Sequence, residues 1–189
     1  MVSIIEDNED FFTTLEGQLR GVRACIKDNY VRECFDYVGN TPLENQYSAA
    51  ELLGIFYSSI PKDQRYDIVL DVYMRSNHSK NLAKYVRAIK KYRPSTYADD
   101  IKTLADSTGN IVVYRGGVLS KNPDRSVSWT TNINMALFFT DYCRRGYKGN
   151  NIGVYMGNIS IDDVIAYTND RNEYEILQYG SVKNIIQIG

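Results

Sequence analysis

Two glutamates, Glu173 and Glu175, stand one residue apart in the run NEYEIL (172–177), near the end of a 189-residue chain. In an extended strand, side chains at i and i+2 share a face, about 6.5–7 Å apart along the chain. Two readings follow: the outward polar face of a half-buried strand, or a paired-carboxylate site. Carboxylates this close repel when both are ionised, unless cations share the site. Other catalytic sets are poorly supplied. The single histidine, His78, sits in the loop-like SNHS, which argues against a histidine metal cluster or a Ser-His-Asp triad. Cys25, Cys34 and Cys143 are an odd set without C-x-x-C spacing. They read as reduced thiols of a cytoplasmic protein, not as a disulfide frame or zinc site, and no metal is expected.

The elements that must carry these residues fall into two kinds. From about residue 9 to 106 the apolar pattern is helical. Ala49, Leu52, Leu53, Phe56, Tyr57 and Ile60 form one stripe, with Ser48 and Glu51 as a capping box and Pro61 at its end. Tyr66, Val69, Leu70, Tyr73 and Met74 form a second; Leu82, Tyr85, Val86 and Ile89 form a third that stops before Pro94. Further helices are predicted over roughly 10–37 and 97–106. After Gly109 the pattern turns β-rich. Strands are predicted at 111–114, broken by Gly116-Gly117, and at 126–130, 152–156, 164–167, 174–178 and 185–188. Met135, Leu137, Phe138 and Phe139 suit a helix capped by Thr131 or Asn132. The expected class is α+β. One domain holds a mainly helical part (1–109) and a β-rich core (110–189).

Three segments of the second half belong together: VYRGG (113–117), SVSWTT (126–131) and DRNEYEIL (170–177). In this order, with an aromatic helix directly after S-W-T, they resemble the mono-ADP-ribosyltransferases of the R-S-E class. The marks of that class are an arginine on a first strand, a Ser-x-Ser/Thr strand and a Glu-x-Glu pair. The likeness covers about residues 111–188. It implies a two-sheet β core that binds NAD, whose nicotinamide–ribose bond is cleaved before ADP-ribose passes to an acceptor. Nicotinamide is already a cationic leaving group, so no general acid is needed and the lack of a catalytic histidine is no objection. The oxocarbenium-like transition state does need nearby negative charge.

Carried onto this chain, the resemblance implies that Glu175 stabilises the ribosyl cation. Glu173 would bind an acceptor arginine, a poor nucleophile with a pKa above about 12, and take its proton. Arg115 would hold the NAD phosphates or ribose with a planar fork that lysine lacks. Ser128, with Thr130 at the third position, would hold Glu175 and the ribose. Gly116 would let backbone approach the nicotinamide amide, though Gly116-Gly117 is also an ordinary turn signal. Phe138 or Phe139, with Phe139 taken as the candidate, would cover the nicotinamide ring, although a helical Phe pair is more often core, while Trp129 faces the core. The stretch AYTNDRN (166–172) falls where such enzymes recognise the acceptor, making Tyr167, Asp170 and Arg171 candidate contacts; Asn169-Asp170 is equally a turn.

Composition sets bounds on partners. A formal net charge of -1 argues against a dedicated nucleic-acid binder. No run of 18 apolar residues occurs, so no membrane span is expected. MVSIIEDNEDFF lacks the basic and apolar regions of a secretory signal. The run from Lys80 through Lys84, Arg87, Lys90 and Lys91 to Arg93 could meet an acidic partner or simply be a solvated face. The expected protein is an arginine-directed mono-ADP-ribosyltransferase acting on a protein acceptor, in the manner of a phage-encoded modifier of host proteins or a bacterial effector. The rivals are an NAD glycohydrolase using the same residues and a non-catalytic binding module on the same fold.

Overall fold

A computed structural model describes residues 13–40, 46–76, 79–119, 121–146, 151–169 and 172–189. It is mixed α+β, and its contacts divide it into two compact units, residues 1–92 and 93–189. Among the described residues, no helix is long and apolar enough to cross a membrane, and no group of three or more His, Cys, Asp or Glu could hold a metal ion.

The first unit is helical: α1 (Leu15–Lys27), α2 (Val31–Asn40), α3 (Ala49–Phe56), α4 (Arg65–Arg75) and α5 (Ser79–Ala88), the last continued by a 3-10 turn, Ile89–Tyr92. The single helix expected over 10–37, of which 10–12 lie outside the described residues, is two among the described ones. Asn29 adopts φ 64°, Tyr30 N–H donates to Cys25 O at 2.8 Å and Asn29 N–H to Ile26 O at 3.4 Å. That pattern is a left-handed C-terminal cap, which Asn tolerates better than most residues. The capping box at α3 forms as expected: Ser48 N–H donates to Glu51 Oε2 at 2.8 Å and Glu51 N–H to Ser48 Oγ at 3.3 Å. Leu52, Leu53, Phe56 and Ile60 of the first stripe, Val69 and Tyr73 of the second and Leu82, Val86 and Ile89 of the third are buried. The second stripe is placed only in part, because α4 also buries Ile68 and Val72 while Tyr66, Leu70 and Met74 stay half-buried.

The second unit is a six-stranded antiparallel sheet with one long helix. Its elements are β1 (Asn110–Val118), β2 (Ser128–Thr130), α6 (Ile133–Gly146), β3 (Ile152–Ser160), β4 (Val164–Thr168), β5 (Glu175–Gln178) and β6 (Lys183–Gln187). Strand order is β4-β5-β2-β1-β3-β6. Two sheets were expected, but β2 pairs on one side with β1 and on the other with β5, joining all six strands into one. Gly116-Gly117 does not break β1, because Gly116 pairs with Val154 and Gly117 with Gly153 of β3. The helix expected over 97–106 is a series of turns and one 3-10 turn, Lys102–Leu104. The unit boundary also lies earlier than residue 109. Ala98 and Ile101 pack with Ile111, Val113, Trp129, Ile159, Val164, Ile176 and Val182 in the core of the sheet unit. Arg93 ties the same segment to β4: its guanidinium lies over the Tyr97 ring, 3.6 Å from the centroid, and donates to Val164 O and to Asp162 O.

Candidate active site where the sheet parts

β1 and β2 share one register pair, Tyr114 with Thr130. Continuing that register would set Gly116 opposite Ser128, but the ladder stops. β2 is held instead by β5, with Ser128 opposite Leu177, Trp129 opposite Ile176 and Thr130 opposite Glu175. Gln178 N–H donates to Val127 O and Thr131 N–H to Tyr174 O, so alternate residues of β2 turn their backbone groups to β5. Ser128 and Thr130 therefore turn theirs toward β1. Where the strands part, Arg115 Nη1 donates to Ser128 O at 2.6 Å. A side chain thus satisfies a carbonyl that the interrupted ladder leaves open.

The pleat distributes the side chains. Trp129 and Ile176 enter the core, and Trp129 is 1% exposed, as its place between two hydroxyl residues predicts. Its indole N–H donates to Ser126 O at 3.0 Å. Ser128, Thr130 and Glu175 share the other face. Thr130, not Ser128, stands directly across from Glu175. Glu175 is only 6% exposed, so it is a buried carboxylate at the first position of β5.

Glu173 joins this face by a route different from strand alternation. β5 begins at Glu175, not at residue 174, and Asn172 and Tyr174 adopt φ 56° and 49°. Left-handed backbone on either side of Glu173 costs energy for residues with a Cβ. Several bonds offset that cost. Thr130 Oγ1 donates to Glu173 O at 2.6 Å, Thr131 N–H to Tyr174 O at 3.0 Å and Asn172 N–H to Asn169 O at 2.9 Å. Tyr174 N–H approaches Asn169 Oδ1 at 3.3 Å.

α6 closes the other side. Asn132 Oδ1 accepts from Asn134 N–H at 2.9 Å and so caps its start. The helix lies so close to β1 that a Cβ on Gly116 would sit 1.7 Å from Ala136 O. Helix–strand contact is therefore what demands glycine at 116. Thr140 Oγ1, buried beneath, bonds with Ala136 O at 2.9 Å and Gly153 O at 3.2 Å. Phe139 faces the gap, with Phe138 edge-on at 5.7 Å between ring centroids.

Tyr114, Arg115, Gly116, Ser128, Trp129, Thr130, Phe139, Glu173 and Glu175 line one pocket of about 150 Å³, on the scale of a single aromatic ring. Arg115, Gly116, Ser128, Thr130, Phe139, Glu173 and Glu175 are the residues singled out from the sequence as catalytic or NAD-binding. The chain matches no family model, no curated protein and no solved structure.

Of the acceptor-recognition candidates, Tyr167 is not in that lining. Tyr167 lies on β4 opposite Ile176 and packs partly against the core. Burial, with Tyr174 and Asp100 nearby, raises its phenol pKa, and a hydrogen bond with Thr131 works the other way. Arg171, like Asp170, lies outside the described residues. Tyr114 was missed. Its signal was its place beside Arg115 on the strand that pairs with Thr130, which only the register reveals.

Proposed function

We propose that this pocket binds NAD and that the protein is a mono-ADP-ribosyltransferase directed at arginine on a protein acceptor. The carrying observation is the convergence of Arg115, Thr130, Glu173 and Glu175 on one ring-sized pocket at the parting of β1 and β2. The same parting supports reading the sheet as a core of ADP-ribosyltransferase type. A cavity with an aromatic wall at Phe139 suits the nicotinamide ring, and an arginine at the gap suits phosphate or ribose oxygens.

The chemistry follows from the donor set. The C1′–N bond of the nicotinamide riboside breaks, and its electron pair leaves with nicotinamide. The carboxylate of Glu175 stabilises the positive charge that develops on the ribose, an effect strengthened by its burial. A guanidine nitrogen of the acceptor forms the new bond to C1′, and the proton it loses passes to Glu173. The two carboxylates then face cations from two sources, which relieves their mutual repulsion.

The test is release of nicotinamide and transfer of label from NAD to arginine methyl ester and to protein. Glu175→Gln is expected to lower both by about 10²–10³-fold, the scale of losing a charge-stabilising group. Glu173→Gln is expected to keep NAD cleavage and lose transfer. Release of nicotinamide with no labelled acceptor would favour the glycohydrolase; equal labelling by wild type and both variants would overturn the mechanism.

A further inference from the structure

In the helical unit, three tyrosines are interleaved with three cations. Tyr57 directly follows α3, Tyr85 lies in α5 and Tyr92 ends the 3-10 turn. The Tyr57 and Tyr85 rings are 4.8 Å apart, tilted by 45°. The Arg65 guanidinium lies over both Tyr57 and Tyr92, at 5.2 and 5.6 Å from their centroids. The Lys84 ammonium sits 4.7 Å from the Tyr85 centroid, and that of Lys91 4.9 Å from Tyr92. Arg65 is pinned further: Nε donates to Ile60 O at 2.8 Å, Nη2 to Ser58 O at 2.8 Å and Nη1 to the Tyr92 hydroxyl at 3.0 Å.

The arrangement keeps positive charge in place without neutralising it. Among the described residues, none of Arg65, Lys84 and Lys91 forms an ion pair. From Lys84 to Tyr92 the chain has no acidic residue. Lys84 and Lys91 are exposed. A ring beneath each ammonium restrains a side chain that would otherwise be mobile, so less entropy is lost when an anion meets it. The Tyr92 phenol registers the local field. Burial acts to raise its pKa, yet hydrogen bonds and charge from Lys91 and Arg65 leave it lowered.

We infer that this surface docks an acidic segment of a partner protein, its carboxylates meeting Lys84, Lys91 and Arg65 between the three phenols. Charge complementarity defines the occupant. Polynucleotide fits less well, because single-strand binding relies on open aromatic faces for base stacking. Here Arg65 and Tyr85 lie against the Tyr57 ring, Lys84 lies over Tyr85, and Arg65 and Lys91 lie over Tyr92. The inference stands on the helical unit alone and does not rest on the dinucleotide reading.

The test is fluorescence anisotropy of a labelled oligoglutamate peptide with the full chain. Parallel arms use an oligothymidylate of matched charge and vesicles of phosphatidylcholine with phosphatidylserine. Saturable peptide binding that weakens with salt is expected. The double substitution Lys84→Gln, Lys91→Gln should weaken it about tenfold or more. Tyr85→Leu, which removes the ring under Lys84 but keeps every charge, should weaken it about threefold. The double variant should stay folded, its thermal midpoint lower by only about 2–4 °C for the lost cation–ring contacts. The inference is overturned by failure of the peptide to bind, by equal binding to the double variant, or by tighter lysine-dependent binding of the oligothymidylate or the vesicles.

Discussion

Arg115 Nη1 meets the carbonyl oxygen of Ser128 at 2.6 Å, across the gap where Gly116 would face Ser128 had the β1–β2 ladder continued beyond Tyr114 and Thr130. One side chain therefore joins two strands and lines the pocket between them. Lysine would keep the charge but lose the planar fork that can hold a carbonyl and a second acceptor together. Arg115→Lys is expected to cost about 1 kcal/mol from the altered hydrogen bond. That corresponds to a fall of about 2–4 °C in thermal midpoint, measurable by scanning calorimetry. On the proposed reaction, kcat/KM for NAD should fall about tenfold to a hundredfold, mainly through KM, because a phosphate or ribose contact binds substrate and transition state alike.

The buried hydroxyl of Thr130 joins the Glu173 segment to the start of α6. Oγ1 donates to Glu173 O at 2.6 Å and accepts from Asn132 N–H at 3.0 Å. Thr130→Val preserves shape but removes both bonds and should destabilise by about 1–3 kcal/mol. Thr130→Ser keeps the hydroxyl and should recover most of that in urea unfolding. On the proposed reaction, a Thr130 that also fixes where Glu173 stands predicts that Thr130→Val reduces ADP-ribose transfer more than nicotinamide release. A merely structural hydroxyl would lower the two together.

Local signals in the sequence carried the helices. The stripe ending at Ile89 and the Ser48–Glu51 pair depend on neighbours within a turn or two, and both formed. The break at Asn29 was harder to see, because apolar residues continue through it: Val22 and Cys25 before, Val31, Cys34, Phe35 and Val38 after, all buried. The length of β1 was not legible either, since Gly116 and Gly117 stay in the strand only through pairing with Val154 and Gly153. Residue types announced the pocket lining more plainly than its geometry. Glu173 and Glu175 do line one pocket, but a strand alternation does not bring them there. Tyr174 is left-handed, a conformation its own side chain disfavours and that bonds from the distant Thr130 and Thr131 help to hold.

Glycines 54 and 116 should respond oppositely to the same added methyl. At Gly116 the new Cβ would meet Ala136 O at 1.7 Å, with the Ala136 carbonyl carbon at 2.6 Å. Since helix backbone must move, Gly116→Ala should cost about 3 kcal/mol or more, or prevent folding. Gly54 lies inside α3, and its nearest neighbour would be the Tyr85 hydroxyl at an ordinary 3.5 Å. Gly54→Ala should stabilise by about 0.4–1 kcal/mol by restricting the unfolded chain. Thermal unfolding of the two variants separates the effects.

Asp106 gives the entry to β1 a defined pH response. Its Oδ1 accepts from Thr108 Oγ1 at 2.7 Å, Thr108 N–H at 2.8 Å and Asn110 N–H at 3.0 Å. These bonds, the Thr108 hydroxyl foremost, hold the carboxyl pKa below its usual value. In the unfolded chain the carboxyl titrates near about 3.9. Below that point and above the folded pKa, the unfolded state binds the extra proton, so stability rises with pH across this window. The contribution is complete above about pH 4 and disappears as pH falls through the lower, folded pKa. Asp106→Ala should therefore be less stable than wild type at neutral pH. Urea unfolding followed from pH 7 down into the acid range should show the two stabilities converging as the wild-type carboxyl becomes protonated. A constant gap down to the most acid point would mean that Asp106 acts through the geometry of its turn and not through its charge.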